Sequence, residues 1–292
     1  MTLRRLSPCK INLLLNILGR RPDGFHELET LFHLVPLVDE LEFSRSDQVG
    51  IRLTCDLPGL SVDGSNLVVR AAHLFFETAK ILRPGIDLHL TKRIPLAAGL
   101  GGGSSNAAQT LLGLNTLYDE PLGAAQLDGL AAALGSDVNF FLQEGPALAV
   151  GRGEAVSRVE PFPALSGQGL FLFHPGFGIS TAWAFGQLGR FPHALNGRSG
   201  RAADLEAALR HGSLRAAGQA FYNSLEAPAL EKFPILGLYQ DFLREQGAWA
   251  ALMSGSGSTT FALFDSLPKA RAVVEPFRER FGEVGWLQTM AL

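Results

Sequence analysis

Several features are scarce in this chain of 292 residues, and each absence excludes a class of protein. Only two cysteines occur, Cys9 and Cys55, which is too few for a disulfide framework and indicates a reducing compartment. Lys and Arg number 25 against 28 Asp and Glu, so the net charge of −3 predicts no nucleic-acid partner. No stretch approaches the roughly 18 apolar residues of a membrane helix. We therefore expect a cytoplasmic protein without a membrane partner.

The amino-terminal segment resembles a secretion signal only superficially. Arg4-Arg5 precede an apolar run from Ile11 to Leu18, but Asn12 and Asn16 interrupt that run. No small-x-small cleavage site follows it, so we expect no cleaved leader.

Two well-known phosphate-binding motifs are also missing. A Walker A loop requires Gly-Lys followed by Ser or Thr, and no Gly-Lys dipeptide occurs in the chain. The dinucleotide-binding fingerprint requires Gly or Ala five positions after its first glycine. Counted from Gly99 that position is Ser104, so the sequence predicts neither a P-loop nor a Rossmann site.

The chain does contain a glycine-rich turn between a strand pattern and a helix pattern. The turn reads Pro95-Leu-Ala-Ala-Gly99-Leu-Gly101-Gly102-Gly103-Ser104-Ser105-Asn106. The alternation of Ile86, Leu88 and Leu90 with polar residues predicts a strand before it. Helical spacing from Ala107 onwards predicts a helix after it, with Ser104, Ser105 or Asn106 as the N-cap.

Such a turn is suited to bind an anion. Glycines allow the backbone N–H groups to converge on a ligand, and a helix N-terminus adds about half a positive charge. The turn therefore predicts a site for a polyphosphate. The alternative is that these small residues form only a flexible turn.

The remaining patterns predict a mixed α/β chain, and its length corresponds to about two domains. Strands are predicted over Cys9–Leu18, Glu29–Leu37, Ile51–Cys55, Ala147–Val150, Leu170–Phe173, Ala248–Met253 and Thr259–Phe264, and helices over Leu67–Leu82 and Ala124–Leu134. The segment from Glu160 to Gly169 contains two prolines and two glycines and indicates a domain boundary.

Lys10 and Asn12 lie on the same face of the first predicted strand, because side chains alternate between faces. Two polar residues in an otherwise apolar strand indicate a polar cleft on that side. The alternative is an ordinary solvated strand face.

Asp137 precedes an apolar run, in Gly135-Ser-Asp137-Val-Asn139. It is either the N-cap of a short helix or a functional carboxylate. The functional interpretation needs a cation nearby, and a lysine would keep the carboxylate ionised while the pair orients a substrate hydroxyl.

Two loops carry weaker signals. Ser254-Gly-Ser-Gly-Ser258 has the composition of a backbone nest for anions and equally that of a hairpin connection. The loop from Arg20 to His26 places Phe25 beside His26, which suggests a site where a base could stack.

Taken together, these segments resemble the GHMP kinase superfamily, whose phosphate loop has the form Pro-x-x-x-Gly-Leu-Gly-Ser-Ser-Ala. Within it, Pro8-Cys-Lys10-Ile-Asn12, Gly19-Arg-Arg-Pro-Asp-Gly-Phe-His26, Gly135-Ser-Asp137-Val and Met253-Ser-Gly-Ser-Gly257 are similar to the kinases of 4-diphosphocytidyl-2-C-methyl-D-erythritol. The resemblance implies an α+β two-domain GHMP kinase fold. Its N-terminal ATP-binding domain, residues 1–158, would be like the second domain of ribosomal protein S5, and its C-terminal domain, residues 159–292, would be ferredoxin-like.

The same resemblance implies an activity. ATP would phosphorylate the 2-hydroxyl of that substrate in the non-mevalonate isoprenoid pathway, with Mg²⁺ carried by the ATP and no metal ligand assigned to the protein. Lys10 and Asp137 would be catalytic. ATP would be held by the phosphate-loop residues Pro95, Gly99, Leu100, Gly101, Gly102, Gly103, Ser104 and Ser105, and the cytidine diphosphate substrate by Asn12, Phe25, His26, Thr181 and Phe185.

Three residues depart from the usual family pattern: Phe25 replaces Tyr, Cys9 replaces Ala and Asn139 replaces Pro. None removes a required functional group, and Phe25 retains the stacking face. The alternatives are another GHMP kinase, acting on a mevalonate-type substrate, homoserine or a sugar, and a nucleotide sensor without catalysis. The block from Gly19 to His26 argues against the first, and the presence of both Lys10 and Asp137 argues against the second.

Overall fold

A computed structural model of the chain describes residues 2–292. They form two compact units, each assembled from several chain segments. The first unit contains the residues up to Cys9 together with Leu37–Ile94 and Gly101–Glu144. The second contains Lys10–Pro36, Pro95–Leu100 and Gly145–Leu292. Within residues 2–292 there is no helix of the length and apolarity that crossing a membrane requires.

The strands are β1 (Thr2–Arg20), β2 (His26–Arg45), β3 (Gly50–Cys55), β4 (Gly85–Thr91), β5 (Ala147–Gly151), β6 (Ala155–Arg158), β7 (Gly169–His174), β8 (Tyr222–Asn223), β9 (Ala250–Met253), β10 (Thr260–Phe264) and β11 (Trp286–Ala291). The helices are α1 (Leu67–Thr78), α2 (Gly102–Leu117), α3 (Ala124–Leu134), α4 (Thr181–Gln187), α5 (Pro192–Leu195), α6 (Arg201–His211), α7 (Leu214–Ala217), α8 (Glu226–Lys232), α9 (Ile235–Glu245), α10 (Leu267–Ala272) and α11 (Val274–Phe281). Short 3₁₀ helices occur at Asn139–Leu142, Pro163–Leu165 and Leu188–Arg190.

In the first unit the carboxyl-terminal half of β2 pairs antiparallel with β4, and β4 pairs in parallel with β3. Helices α1, α2 and α3 pack on one another. Gly113 in α2 has no room for a side chain, since a Cβ there would lie 2.5 Å from Cζ of the buried Phe43 ring of β2. This close packing brings α2, and therefore its amino terminus, to a defined position on the sheet.

The second unit contains a four-stranded antiparallel sheet in the order β11-β7-β10-β9. Aromatic side chains fill its core, with Phe173, Tyr239 and Phe277 within 5.5 Å of one another by ring centroid. In the same unit β5 pairs with the amino-terminal half of β2, and β8 pairs in parallel with β1. β9 is thus an edge strand of the four-stranded sheet.

The predicted elements exist, but several boundaries were wrong. Helix α1 ends at Thr78 rather than Leu82, because Lys80 adopts a left-handed conformation with φ of 55°. Helix α2 begins at Gly102, earlier than any of the predicted caps Ser104, Ser105 and Asn106. Its N-cap is Gly101, whose φ of 71° suits a residue without Cβ.

Helix α3 spans Ala124–Leu134 as predicted, and the strands β1 and β2 are longer than predicted at both ends. The sequence-based division into residues 1–158 and 159–292 stays a prediction.

Candidate functional site

Lys10 and Asn12 form a buried polar pair on β1. The Lys10 Nζ donates to Asn12 Oδ1 at 2.6 Å, and Asn12 Nδ2 donates to Thr30 Oγ1 at 2.8 Å. Thr30 Oγ1 in turn donates to the carbonyl of Leu14 at 2.6 Å. Lys10 is 3% and Asn12 2% exposed, so the solvated-face alternative is wrong. The chain of bonds directs the amide oxygen of Asn12 towards the ammonium group.

The loop Pro95–Leu100 lies beside this pair in the second unit. The Lys10 backbone N–H donates to the carbonyl of Leu100 at 2.9 Å, and the backbone N–H of Thr259 donates to the carbonyl of Ala98 at 3.2 Å. Gly99 has a φ of +76°. A Cβ on Gly99 would lie 2.1 Å from the carbonyl oxygen of Ser254, so only glycine allows this approach.

The turn from Ser254 to Gly257 connects the antiparallel strands β9 and β10, as the hairpin interpretation predicts. It also contacts the loop and the lysine. Ser254 Oγ donates to the carbonyl of Gly99 at 3.0 Å. A Cβ on Gly255 would lie 3.1 Å from both Gly99 O and Lys10 Nζ. The turn therefore belongs to the same cluster as Lys10, while its role as an anion nest stays a prediction.

The rest of the glycine-rich segment, Gly101–Ser105, belongs to the first unit. It forms the N-cap and first turn of α2, whose leading N–H groups have no partner within a helix. This geometry suits an anion. Ser105 is different, because its hydroxyl accepts a bond from Ser7 Oγ at 2.8 Å and is fully buried. Its side chain is therefore part of the interior.

Asp39 and Lys92 form a buried ion pair near this helix terminus that sequence reasoning missed. Oδ1 of Asp39 also accepts from the backbone N–H groups of Arg93 at 2.7 Å and Ile94 at 2.9 Å, and Oδ2 from Asn106 Nδ2 at 3.0 Å. One carboxylate thus links the end of β4 to the first turn of α2. The sequence did contain one signal for this pair, namely that Asp39 is a carboxylate among the apolar residues of β2.

Asp137 lies in the first unit, between α3 and the 3₁₀ helix Asn139–Leu142. The N-cap position of that helix is occupied by Val138 rather than by Asp137. The cap and the functional carboxylate both stay predictions for Asp137. Lys10 belongs to the second unit, and the pairing of Asp137 with a lysine stays a prediction.

Phe25 lies in a loop braced by an ion pair. Arg21 Nη1 lies 2.5 Å from Glu27 Oε2, and the Phe25 backbone N–H donates to Asp23 Oδ1 at 3.1 Å. Phe25 is 54% exposed, and the guanidinium carbon of Arg152 lies 4.9 Å from the centroid of its ring. An exposed aromatic ring held in place by its loop is suited to stack on a planar group.

The other predicted substrate residues also lie in the second unit. The rings of His26 and Phe185 are 5.1 Å apart by centroid. Burial, assisted by the charge of Arg20, lowers the pKa of His26, which favours a neutral imidazole at neutral pH. Thr181 Oγ1 lies 2.8 Å from Ser256 Oγ in the hairpin turn. Through Ser256 the turn thus contacts Thr181, one of the predicted substrate-binding residues.

Among residues 2–292, the His, Cys, Asp and Glu side chains form no group of three or more that could hold a metal ion. The carboxylate of Asp39 is bonded to protein donors, among them the backbone N–H groups of Arg93 and Ile94.

Comparison with models of known families identifies the family of this chain. Residues 66–145 match the model of the GHMP kinases N terminal domain, and residues 205–283 match that of the GHMP kinases C terminal domain. The chain belongs to the GHMP kinases. The N-terminal match covers the glycine-rich loop and Asp137, and the C-terminal match covers the turn from Ser254 to Gly257.

Individual GHMP kinases resemble the chain over nearly its whole length. The 4-diphosphocytidyl-2-C-methyl-D-erythritol kinase of Syntrophotalea carbinolica is 40% identical over 277 residues, which is 95% of either chain. That of Pelotomaculum thermopropionicum is 40% identical over 278 residues, covering 95% of this chain and 94% of the relative.

A crystal structure of 4-(cytidine 5′-diphospho)-2C-methyl-D-erythritol kinase is 35% identical, with a TM-score of 0.81 over 99% of this chain and 100% of its own. Homoserine kinase from Cytophaga hutchinsonii, 21% identical with a TM-score of 0.77 over 100% of this chain and 95% of its own, shares the fold. These matches confirm the predicted α+β two-domain GHMP kinase fold.

The contact between Gly99 and Ser254 generates a stability prediction. Gly99→Ala should lower the free energy of unfolding by about 3 kcal/mol or more, because a Cβ at positive φ must also displace a backbone carbonyl. Gly59→Ala is the matched control, since Gly59 has a φ of +82° but open space around it. It should cost about 1 kcal/mol. Urea denaturation measures both variants. If Gly99→Ala and Gly59→Ala lose the same free energy of unfolding, the close approach of Gly99 to Ser254 does not exclude a side chain.

Proposed function

We propose that the chain is an ATP-dependent kinase of 4-diphosphocytidyl-2-C-methyl-D-erythritol. It transfers the γ-phosphoryl group of ATP to the 2-hydroxyl of the methylerythritol moiety, giving the 2-phosphate and ADP for the non-mevalonate isoprenoid pathway. Two relatives of that name at 40% identity over 95% of this chain support the substrate. The observation that carries the chemistry is the buried pair of Lys10 and Asn12 beside Gly99 and the hairpin turn. The two cysteines of the sequence favour the reducing cytoplasm.

ATP binding is proposed for the glycine-rich loop and its helix terminus. Gly99 and Gly101 both have positive φ, so the backbone bends without a Cβ that would keep a phosphate away. Gly102, Gly103 and Ser104 present the leading N–H groups of α2. Pro95 and Leu100 frame the loop, and Ser105 supports it from the interior. Mg²⁺ bound to ATP neutralises charge on the phosphates.

Lys10 and Asp137 are the proposed catalytic residues. Phosphoryl transfer has a loose transition state, so positioning and charge stabilisation contribute most of the acceleration. The ammonium of Lys10, oriented by Asn12, stabilises negative charge at the reacting hydroxyl. Asp137 accepts the proton of that hydroxyl or orients it.

The cytidine diphosphate part of the substrate is assigned to Asn12, Phe25, His26, Thr181 and Phe185. The exposed ring of Phe25 offers a stacking face, and the His26–Phe185 pair offers a second aromatic surface. A neutral His26 provides one donor and one acceptor for the edge of a base. A site of this chemistry favours a pyrimidine nucleotide over a bare polyol.

A coupled ADP-release assay tests the proposal directly. With ATP and Mg²⁺, the chain should phosphorylate 4-diphosphocytidyl-2-C-methyl-D-erythritol and leave mevalonate, homoserine, galactose and free methylerythritol 4-phosphate almost untouched. Turnover of another alcohol in this panel would assign the chain to a different GHMP kinase. ATP binding without any turnover would indicate a nucleotide sensor.

Lys10→Ala and Asp137→Asn should each lower kcat by about 10²- to 10⁴-fold, because each removes a group acting on the reacting hydroxyl. The double variant should lose less than the product of the two, since the residues act together. Lys269→Ala and Asp241→Asn, which change exposed ion pairs, serve as controls with unchanged kcat. Steady-state kinetics measures the five variants and the wild type, and near wild-type turnover in Asp137→Asn removes its assigned role.

Phe25→Ala should raise KM for the cytidine substrate about tenfold and leave KM for ATP within about twofold, because a stacking partner is worth about 0.5–1.5 kcal/mol beyond its buried area. Phe25→Tyr keeps the ring and should behave like wild type. The uridine version of the substrate should be disfavoured, since it leaves polar groups of the site unpaired. Unaltered KM in Phe25→Ala, or equal kcat/KM for the two nucleotides, contradicts the proposed pocket.

A further inference from the structure

The hairpin turn from Ser254 to Gly257 contacts three groups with different proposed roles. Ser254 Oγ bonds to the carbonyl of Gly99 in the ATP loop. Gly255 lies so close to Lys10 that a Cβ would be 3.1 Å from Nζ. Ser256 Oγ lies 2.8 Å from the Thr181 hydroxyl. The position of this turn therefore affects the catalytic lysine and both substrate-binding segments.

Two side chains that have no assigned role hold the turn from the side of β9 that faces away from β10. β9 is an edge strand, so the N–H and C=O of Met253 that face away from β10 need partners. Glu226 Oε1 accepts from Met253 N at 2.6 Å. Asn223 Nδ2 donates to Met253 O and to Gly255 O, each at 2.8 Å. The two side chains thus bind the last residue of β9 and the turn itself.

The segment that carries these side chains is attached to the strand of the catalytic lysine. Tyr222 and Asn223 pair in parallel with Leu14 and Leu15 of β1, the strand that carries Lys10. The next residue, Ser224, accepts from the Ile17 backbone N–H through its hydroxyl at 3.0 Å. This segment therefore fixes the position of the turn relative to β1, in addition to the turn's own contacts with Lys10.

We propose that Asn223 and Glu226 are positioning residues that hold the turn against Lys10 and Gly99 during phosphoryl transfer. The inference deepens the proposed function and rests on it. Neither residue touches the reacting atoms in this scheme. Their effect arises because a displacement of about 1 Å in a positioned group can cost about a hundredfold in rate.

Glu226→Ala and Glu226→Gln separate positioning from general stability. The alanine variant loses the acceptor for Met253 N, and its kcat should fall about ten- to a hundredfold with both KM values within about threefold. Burial raises the pKa of the Glu226 carboxyl to about 7, so a neutral amide is a close substitute. Because both bonds of the carboxyl use Oε1, the glutamine variant should restore kcat to within about threefold of wild type.

Glu29→Ala is the matched control in the same unit. Glu29 is buried and accepts from Asn16 Nδ2 at 2.9 Å, Gly200 N at 3.1 Å and Ala202 N at 3.3 Å, all away from the turn. Its loss should lower the melting temperature as Glu226→Ala does, but leave kcat unchanged. If Glu226→Ala does not fold, Asn223→Ser carries the same kinetic expectation.

Two results would overturn the proposal. One is a folded Glu226→Ala or Asn223→Ser whose melting temperature falls while kcat stays at the wild-type value. The other is a Glu226→Gln as slow as the alanine variant, which would exclude the hydrogen-bond acceptor as the cause. If wild type instead turns over another alcohol of the panel, the proposed function fails separately, and the same variants are measured with that alcohol.

Discussion

The site depends on keeping the Lys10 ammonium buried and oriented on β1. A charge removed from water is tolerated in a protein interior only when hydrogen-bond partners compensate for its lost hydration. Asn12 supplies one acceptor, and its orientation is set by Thr30, whose own hydroxyl bonds to the Leu14 carbonyl. The lysine is therefore oriented by the protein before a substrate arrives, which is the condition for effective charge stabilisation.

The absence of side chains is as important as their presence around this lysine. Gly99 allows its segment to approach the carbonyl of Ser254 more closely than any Cβ permits, and a Cβ on Gly255 would lie only 3.1 Å from Gly99 O and Lys10 Nζ. Ser254 joins the two segments through its hydroxyl, and Thr259 joins them through its backbone N–H. A loop stabilised by such contacts has few alternative conformations, so its N–H groups keep their direction without a ligand.

The first unit uses a different device to organise the other part of the glycine-rich segment. The carboxylate of Asp39 forms an ion pair with the Lys92 ammonium and accepts hydrogen bonds from two consecutive backbone N–H groups and from the amide of Asn106. Replacing one member of such a network leaves the others buried without partners, which is energetically costly. The members of the network therefore depend on one another. The end of β4 and the first turn of α2 are consequently held by one side chain.

Local sequence patterns were enough to predict most of the secondary structure and the family. Strand alternation, helical spacing and the glycine clusters located β4, the glycine-rich loop, α3 and the hairpin, because these patterns depend on residues only a few positions apart. The motifs around Lys10, Phe25, Asp137 and the hairpin turn predicted the GHMP kinases. The structure was needed to show that Lys10 and Asn12 are buried, because side chains alternate with a period of two in a strand that lines a cleft and in one that faces solvent. It also showed that α2 begins at Gly102 and that Asn223 and Glu226 hold the hairpin turn. Those outcomes depend on contacts between residues far apart in the chain, which local sequence patterns do not encode.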